Sequence, residues 1–212
     1  MSQFKDRFDA AQQLAEKLKD YTDNPNTIII AIPRGGLQLG SVLSQKLHLP
    51  LDVIFTKKIG YPGNPEYAIG AISSTHAFIN EPYASHPILK NYIAQETESI
   101  RKLLRERAHN YRGDVPAPNL KDKTVIVVDD GVATGSTLLA TLALIKQDTP
   151  KKIIVALPVC PENTLALIKE QVDEVVCLLV PEVFFSVGQF YEKFGQVDDQ
   201  EAIELLKNAY HK

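Results

Sequence analysis

The sequence is poor in cysteine, which bears on both its redox compartment and metal binding. Its two cysteines, Cys160 and Cys177, lie in apolar runs and form no Cys-x-x-Cys pair. We interpret them as small buried apolar side chains, as expected in a reducing cytosol. The five histidines show no metal-ligand spacing. We therefore assign no metal ion to protein ligands.

The sequence also lacks long hydrophobic runs and a strong net charge. No apolar run approaches the roughly 18 residues that span a bilayer, and the stretch MSQFKDRFDAAQQ lacks the apolar region of a secretory signal. A formal net charge of −3 gives no sign of a nucleic-acid or membrane partner. The basic cluster at 101–112 is interleaved with glutamates, which favours a solvated, ion-paired helix face over an RNA-binding surface. We expect a soluble, cytoplasmic protein.

What the sequence does contain is a regular alternation of strand-like and helix-like segments over 212 residues, 44% of them hydrophobic. This length and composition predict a single domain covering 1–212. Continuous apolar runs, typical of strands buried on both faces, lie at 27–33, 51–57, 124–130, 152–159 and 174–181. Helical spacing marks 4–18, 36–48, 88–111, 136–147, 161–171 and 198–210. The alternation predicts an α/β fold with a doubly wound, mainly parallel sheet and ligands at the carboxyl ends of its strands.

The pattern weakens between residues 58 and 87. Glycines, prolines and polar residues in KIGYPGNPEYAIG suggest a long, mobile loop from Gly60 to Ile69, opening a short hairpin at about 68–80. Long loops of this kind are often functional lids. We therefore predict a flexible lid here.

The stretch VIVVDDGVATGSTLLA (125–140) carries the clearest chemistry. A buried strand ends in two aspartates, and a loop of small residues then runs directly into a helix. Small residues let the backbone approach a ligand, and the free amides at the helix start favour an anion. The carboxylates accept hydrogen bonds from vicinal sugar hydroxyls. A Walker loop and a GxGxxG fingerprint are both absent; the alternative is a capped, acidic surface turn.

Residues 125–137 resemble the signature of type I phosphoribosyltransferases that binds 5-phosphoribosyl 1-pyrophosphate (PRPP). The stretches KKIGYPGNPEYAIGAI and FFSVGQFYEKFGQVDDQE are similar to an uncharacterised bacterial branch of predicted phosphoribosyltransferases. The resemblance implies that the acidic pair holds the ribose hydroxyls and that the loop holds the 5-phosphate. It assigns phosphoribosyl binding to Asp129, Asp130, Gly131, Val132, Ala133, Thr134, Gly135, Ser136 and Thr137.

The resemblance also implies sites for the pyrophosphate and the base. It assigns pyrophosphate binding to the loop after the first core strand, Arg34, Gly35 and Gly36. A guanidinium and close backbone amides are suitable groups for binding pyrophosphate. The residues implied at the reaction centre are Arg34, Lys57, Lys58 and Glu66; for both lysines, plain solvent exposure is the alternative. Phe184 and Phe185 are candidates to stack on a base, or simply pack against the sheet edge, and Tyr191 carries the same two interpretations. A small hood is implied from the N-terminal segment and 181–212.

The implied activity is transfer of ribose 5-phosphate between PRPP and a nitrogenous base with pyrophosphate release, as in nucleotide metabolism. Mg²⁺ is expected to be held mainly by substrate oxygens. The alternative is a non-catalytic protein that senses PRPP or a nucleotide, and hydrolysis or phosphorolysis of a nucleotide would use the same site. The sequence shows no clear general base, names no acceptor base, and leaves a homodimer open.

Overall fold

The computed structural model describes residues 3–210 and contains a parallel sheet, a smaller antiparallel sheet and flanking helices. The strands are β1 (Thr27–Ala31), β2 (Leu51–Val53), β3 (Lys57–Tyr61), β4 (Asn64–Ile72), β5 (Ala77–Ile79), β6 (Thr124–Val128), β7 (Lys152–Val159) and β8 (Glu174–Leu179). The α-helices are α1 (Arg7–Lys17), α2 (Gly35–Leu47), α3 (Lys90–Arg112), α4 (Ser136–Ile145), α5 (Glu162–Lys169) and α6 (Asp199–Tyr210). None of these helices is long and apolar enough to cross a membrane.

The larger sheet has the strand order β2-β1-β6-β7-β8, and all of its strand pairs are parallel. Strand β6 lies at its centre, with Ile126 paired to Ile29 on one side and to Ile154 on the other. The predicted α/β fold with a parallel central sheet is therefore confirmed. The second strand ends at Val53 rather than at 57, because the chain leaves the central sheet there and pairs in the smaller one.

Both faces of the central sheet are covered, which explains why its strands are continuous apolar runs. Alternate side chains such as Ile29 and Ile126 pack against α1, α2 and α6. The side chains between them, such as Ile30 and Val127, pack against α4 and α5. Because strand side chains alternate between faces, only apolar residues at every position can satisfy both layers.

The segment 60–69, predicted to be an irregular lid, is instead ordered into strands, so that prediction was wrong about its secondary structure. The hairpin predicted at about 68–80 corresponds to the pairing of β4 with β5. Strands β3, β4 and β5 form an antiparallel sheet, with the turn at Gly63 in the left-handed region (φ +80°). A methyl group on Gly60 would lie 2.5 Å from the carbonyl oxygen of Pro65. The glycines and prolines therefore serve a tight hairpin with register shifts, whose composition resembles that of a loop.

The two faces of this small sheet meet different surroundings. Ile59, Ile69 and Ile72 are buried in the core on the side of α3. On the other face, Lys58 and Phe78 line a cavity of about 400 Å³ against α4 and α5. The hairpin is thus anchored at its base, while its tip, residues 61–67, is largely exposed.

The N-terminal segment and the chain after β8 come together beside the central sheet. Phe4 and Tyr191 form an isolated bridge, and their rings lie 5.3 Å apart between centroids. The Lys193 amide donates to the carbonyl oxygen of Lys5 at 2.9 Å. These are the segments predicted to form a hood; their role as a separate hood, and the treatment of 1–212 as one domain, stay predictions.

The burial of the small sheet generates a stability prediction. Ile69 is fully buried, so Ile69→Ala should lower the free energy of unfolding by about 2–5 kcal/mol. Glu66→Ala, on the exposed part of the same strand, should change it by no more than about 0.5 kcal/mol. Urea unfolding of both variants measures the difference. Equal losses would contradict the anchored base and exposed tip.

Candidate active site

The two aspartates follow β6 at the carboxyl edge of the central sheet, and both are partly buried. The Asp130 amide donates to Oδ1 of Asp129 at 2.9 Å. Asp129 lines a cavity of about 280 Å³ together with the loop that follows it. Asp130 is bound instead by Arg7. The adjacent carboxylates therefore have different surroundings, as expected for successive residues at a strand end.

Arg7 connects three separate parts of the chain at this point. Its Nε donates to Oδ2 of Asp130 at 2.7 Å, and its Nη1 donates to the carbonyl oxygen of Gly195 at 2.8 Å. The guanidinium carbon lies 3.8 Å from the ring centroid of Phe194. Only 7% of the Arg7 side chain is exposed. The guanidinium is therefore fixed by charge, hydrogen bonding and stacking together.

Sequence reasoning missed Arg7, although a signal for it existed. Arg7 shares the apolar face of α1 with Ala11, Leu14 and Leu18, at spacings of four, three and four residues. It is also the first residue of the helix, where the helix dipole disfavours a positive charge. A cation in both unfavourable settings indicates a buried anionic partner.

The surroundings of the acidic pair disfavour its ionised form. Burial raises the pKa of Asp129 well above its usual value, and the negative charge of Asp130 raises it further. Burial also raises the pKa of Asp130, but the Arg7 guanidinium opposes this rise. Asp129 is therefore the member of the pair whose charge is less well compensated.

The loop after the pair has a backbone shaped for a small anion. Gly131 has φ +149° and lies so close to Val187 that a methyl group would be 2.5 Å from its Cγ1; Gly135 has φ +75°. The Thr164 hydroxyl donates to the Ala133 carbonyl oxygen at 2.7 Å and fixes the loop from behind. Among residues 3–210, no backbone hydrogen bond is formed by the amides of Ala133, Thr134, Gly135 and Thr137. These amides, at the start of α4, make an anion cradle.

The loop Pro33 to Gly36 approaches the acidic pair closely, and its first peptide bond, Pro33–Arg34, is cis. A methyl group on Gly35 would lie 1.9 Å from Oδ2 of Asp130, and one on Gly36 would lie 2.8 Å from the Val128 carbonyl oxygen. Glycine is therefore required at both positions for the loop to reach the strand end. The structure brings this loop and the acidic pair together.

Arg34 lies at the mouth of the site with about a third of its side chain exposed. Its Nη1 is 3.7 Å from Oδ1 of Asp199, the first residue of α6. The same oxygen accepts a hydrogen bond from the Tyr111 hydroxyl at 2.5 Å and lies 3.4 Å from Nη2 of Arg107. At 3.7 Å the contact between Arg34 and Asp199 is an ion pair rather than a hydrogen bond, so Asp199 does not occupy an N–H group of Arg34.

The remaining candidates at the reaction centre lie on the small sheet. Lys57 and Lys58 are both exposed, and adjacent strand residues face opposite sides. Lys58 lines the 400 Å³ cavity, which Ser136 at the start of α4 also lines. Ser136 borders the 280 Å³ cavity as well, so the two cavities meet there. Glu66 is exposed near the hairpin tip, and the described contacts do not tie it to the acidic pair.

The aromatic candidates separate into one free ring and two packed ones. Phe185 is 86% exposed. Phe184 is partly buried, with its ring centroid 5.4 Å from that of Phe190. Tyr191 is buried, and its hydroxyl donates to the Asp130 carbonyl oxygen at 2.6 Å. Packing thus accounts for Phe184 and Tyr191, whereas Phe185 has an accessible face.

Within residues 3–210, no group of three or more histidine, cysteine, aspartate or glutamate side chains is arranged to hold a metal ion.

Comparisons with known proteins place this geometry in a family context. A family model for the phosphoribosyl transferase domain matches residues 1–194. A Mycobacterium tuberculosis H37Rv protein, Rv0571c, provisionally named a phosphoribosyl transferase, is 32% identical over 212 residues, covering 99% of this chain and 48% of that protein. This chain thus spans about half the length of the curated relatives it matches.

Solved structures show the same fold. The crystal structure of TT1426 from Thermus thermophilus is similar with a TM-score of 0.86 and 35% identity, covering 98% of this chain and 99% of that one. The AQ2163 protein from Aquifex aeolicus has a TM-score of 0.50 and 16% identity over 81% of this chain and 71% of that one. The second likeness concerns the fold alone.

The unequal surroundings of the two aspartates predict opposite effects on stability. Asp129→Asn should raise the melting temperature at pH 7–8, because it removes a poorly compensated charge. Since the folded-state pKa of Asp129 is raised, this gain should shrink as the pH falls through that pKa and disappear below about 4, where the unfolded carboxyl is protonated too. Asp130→Asn should instead cost about 3 kcal/mol, because Arg7 loses its counter-charge. Thermal melts from pH 4 to 8 test both; two variants that behave alike contradict the asymmetry.

The close approach of Gly35 predicts a steric effect. Gly35→Ala should lower the free energy of unfolding by about 1–3 kcal/mol, because the new methyl group meets the Asp130 carboxylate. Gly195→Ala is the matched control, since a methyl group there meets nothing within 4 Å, and it should stay within about 0.5 kcal/mol of the parent. Denaturant unfolding measures both. A Gly35→Ala protein as stable as the parent would show that the loop does not need this contact.

Proposed function

This chain belongs to the phosphoribosyl transferase domain family, and from that premise we propose that it binds PRPP and transfers ribose 5-phosphate to or from a nitrogenous base, with exchange of pyrophosphate. The observation that carries the proposal is the position of the anion cradle beside the acidic pair. Free amides at residues 133–137 and the carboxylates of Asp129 and Asp130 lie at one strand end. A phosphate joined to a sugar with vicinal hydroxyls matches both parts of the site, the amides through its phosphate and the carboxylates through its hydroxyls.

The cradle and the pair divide the phosphoribosyl group between them. The amides of residues 133–137, with the hydroxyls of Thr134, Ser136 and Thr137, bind the 5-phosphate. Gly131 and Val132 carry the chain between the two halves, with Val132 anchored by its amide to the Val159 carbonyl oxygen at 3.1 Å. Asp129 and Asp130 accept hydrogen bonds from the ribose hydroxyls, at about 1.5–3 kcal/mol for each charged acceptor.

The pyrophosphate is proposed to lie between the acidic pair and Arg34. Arg34 offers a partly exposed guanidinium, and Gly35 offers a backbone amide. The Gly36 amide already donates to the Ile32 carbonyl oxygen at 3.1 Å, so Gly36 contributes by letting the loop approach the strand end. Lys57 and Lys58 add positive charge from the small sheet. Mg²⁺ enters as part of the substrate, bound mainly to pyrophosphate and ribose oxygens and to water.

The protein's contribution to such a transfer is positioning and electrostatics. Breaking the bond between C1 and pyrophosphate builds positive charge on the ribose and negative charge on the leaving group. We assign the carboxylates to the ribose side, and Arg34 with either Lys57 or Lys58 to the leaving-group side, since the two lysines face opposite sides of their strand. The exposed hairpin tip, which includes Glu66, is the segment proposed to close over the site and exclude water.

The acceptor is proposed to be a nucleobase-like molecule that stacks on Phe185. Phe185 has the accessible ring of the two phenylalanines, whereas Phe184 supports the segment by packing on Phe190. Every nucleobase has an aromatic face that can stack on a phenylalanine ring, so the ring alone does not select one base. The cytoplasmic location and the small-molecule partners belong to the same proposal.

The proposal is tested by a screen of nucleobases with PRPP and Mg²⁺, read as pyrophosphate release, together with PRPP titrations. Asp129→Asn should weaken PRPP binding about tenfold to a hundredfold, equivalent to about 1.4–2.8 kcal/mol. Inorganic phosphate should bind no worse, because a nearby negative charge has been removed. Asp122→Asn, at an exposed position with φ +60° that asparagine tolerates, is the control and should bind PRPP as the parent does.

Three outcomes separate the alternatives. Base-dependent release of pyrophosphate supports the transferase. PRPP binding without release for any base would favour the non-catalytic sensor instead. A parent protein that does not bind PRPP, or an Asp129→Asn protein that binds it unchanged, would overturn the proposed site.

A further inference from the structure

The contacts of Arg7 exceed what is needed to neutralise one carboxylate. Arg7 reaches Asp130 with Nε, the Gly195 carbonyl oxygen with Nη1, and the Phe194 ring with its flat face. The Asp130 backbone is held as well, since the Tyr191 hydroxyl donates to its carbonyl oxygen at 2.6 Å. Segments near both ends of the described chain thus converge on a single aspartate.

We propose that Arg7 is a positioning residue for phosphoribosyl recognition, holding the Asp130 carboxylate in the one orientation that receives the ribose hydroxyls. The proposal rests on the proposed function, because it assigns Arg7 a part in binding the same sugar. Arg7 itself is not proposed to touch the substrate.

The orientation of Asp130 is restricted from two sides. Arg7 occupies Oδ2, and the Gly35 backbone is so close to the same oxygen that no side chain fits between them. Arg7 contacts Oδ2 and not Oδ1, and the Asp129 side chain is within hydrogen-bonding reach of the same carboxylate. One oxygen is therefore fixed by Arg7 and the other is left outside this contact, so the carboxylate does not have to reorganise when the sugar arrives.

The charge of Arg7 also helps Asp130 to accept hydrogen bonds from the sugar. Asp129 and Asp130 are neighbours in a partly buried site, where the charge of Asp130 raises the pKa of Asp129 and burial raises the pKa of Asp130. A protonated Asp130 would be a donor as well as an acceptor and would pair less well with a hydroxyl. The guanidinium 2.7 Å away opposes the rise in the pKa of Asp130 and so favours its anionic form.

A purely structural role explains these observations less well. A buried ion pair is weak evidence for stability, because apolar residues of similar volume often replace one without loss. The chain offers a direct comparison in Arg112, whose Nε lies 2.7 Å from Oδ1 of the buried Asp52 and whose side chain is 10% exposed. That pair joins α3 to β2 and lies outside the acidic pair, the cradle and the loop at Arg34.

The test compares two ligands, ribose 5-phosphate and inorganic phosphate, by calorimetric titration of the full chain. Both fill the anion cradle, but only the first presents sugar hydroxyls. Arg7→Gln should weaken ribose 5-phosphate binding about tenfold to a hundredfold while changing phosphate binding less than about threefold. Adding Asp130→Asn to Arg7→Gln should cause little further loss, because the two residues act through one contact.

Arg112→Gln is the matched control. It should lower thermal stability as Arg7→Gln does, yet keep the parent's preference for ribose 5-phosphate over phosphate. Should Arg7→Gln not fold, Arg7→Lys carries the test: it keeps the charge, loses the forked geometry, and should reduce the preference about three- to tenfold.

The outcomes distinguish this inference from the proposed function. A parent that prefers ribose 5-phosphate, with Arg7 variants that keep the same preference, would overturn the positioning role and leave the proposed function standing. If the Arg7 and Arg112 variants both bound the two ligands equally more weakly, Arg7 would have a structural role only, and the positioning role would again be overturned. A parent with no preference for the sugar would overturn the proposed function and the inference together.

Discussion

The contact between Arg7 and Asp130 is the constraint on which the arrangement of the site depends. Two carboxylates at the end of a buried strand repel each other and lose hydration, so at least one needs a fixed counter-charge. Arg7 supplies it from the first turn of α1, and its second hydrogen bond draws in the chain at Gly195. The packing of the N-terminal and C-terminal segments beside the sheet is thereby tied to the chemistry at the strand end. The pair acts together with the hydrogen bond from the Tyr191 hydroxyl to the Asp130 carbonyl oxygen and the backbone hydrogen bond between Lys193 and Lys5.

Stability and recognition oppose each other at the other aspartate. Asp129 lines the cavity beside the anion cradle and has no guanidinium of its own, so its ionised form is disfavoured by burial. The loop that follows leaves several amides without backbone partners. Both features are unfavourable for the folded chain alone, and the proposed phosphoribosyl ligand would compensate for them. Local features that destabilise the unliganded fold are typical of binding sites.

The small antiparallel sheet shows how far local composition can mislead. The sequence predicted a hairpin at about 68–80, but the glycines, prolines and polar residues of 60–69 indicated a loop, yet β3 and the first part of β4 pair there. The missing information is long-range: Ile59, Ile69 and Ile72 are buried only because α3 and the central sheet cover them. Strand propensity depends on such packing, which a single sequence does not reveal. Whether the exposed tip moves stays a prediction.

The sequence by itself determined the parallel sheet, most of its element boundaries and the loop of residues 131–137, because apolar periodicity and small-residue loops are local signals. It also marked Asp129 and Asp130 as a pair. Only the tertiary structure decided that they are unequal, since Arg7 and Gly35 reach Asp130 from distant parts of the chain. The same holds for the two adjacent phenylalanines: in the fold Phe184 is packed, whereas Phe185 is exposed. Adjacent residues at a strand end face different neighbours. Which segments supply those neighbours depends on the chain topology and not on the local sequence.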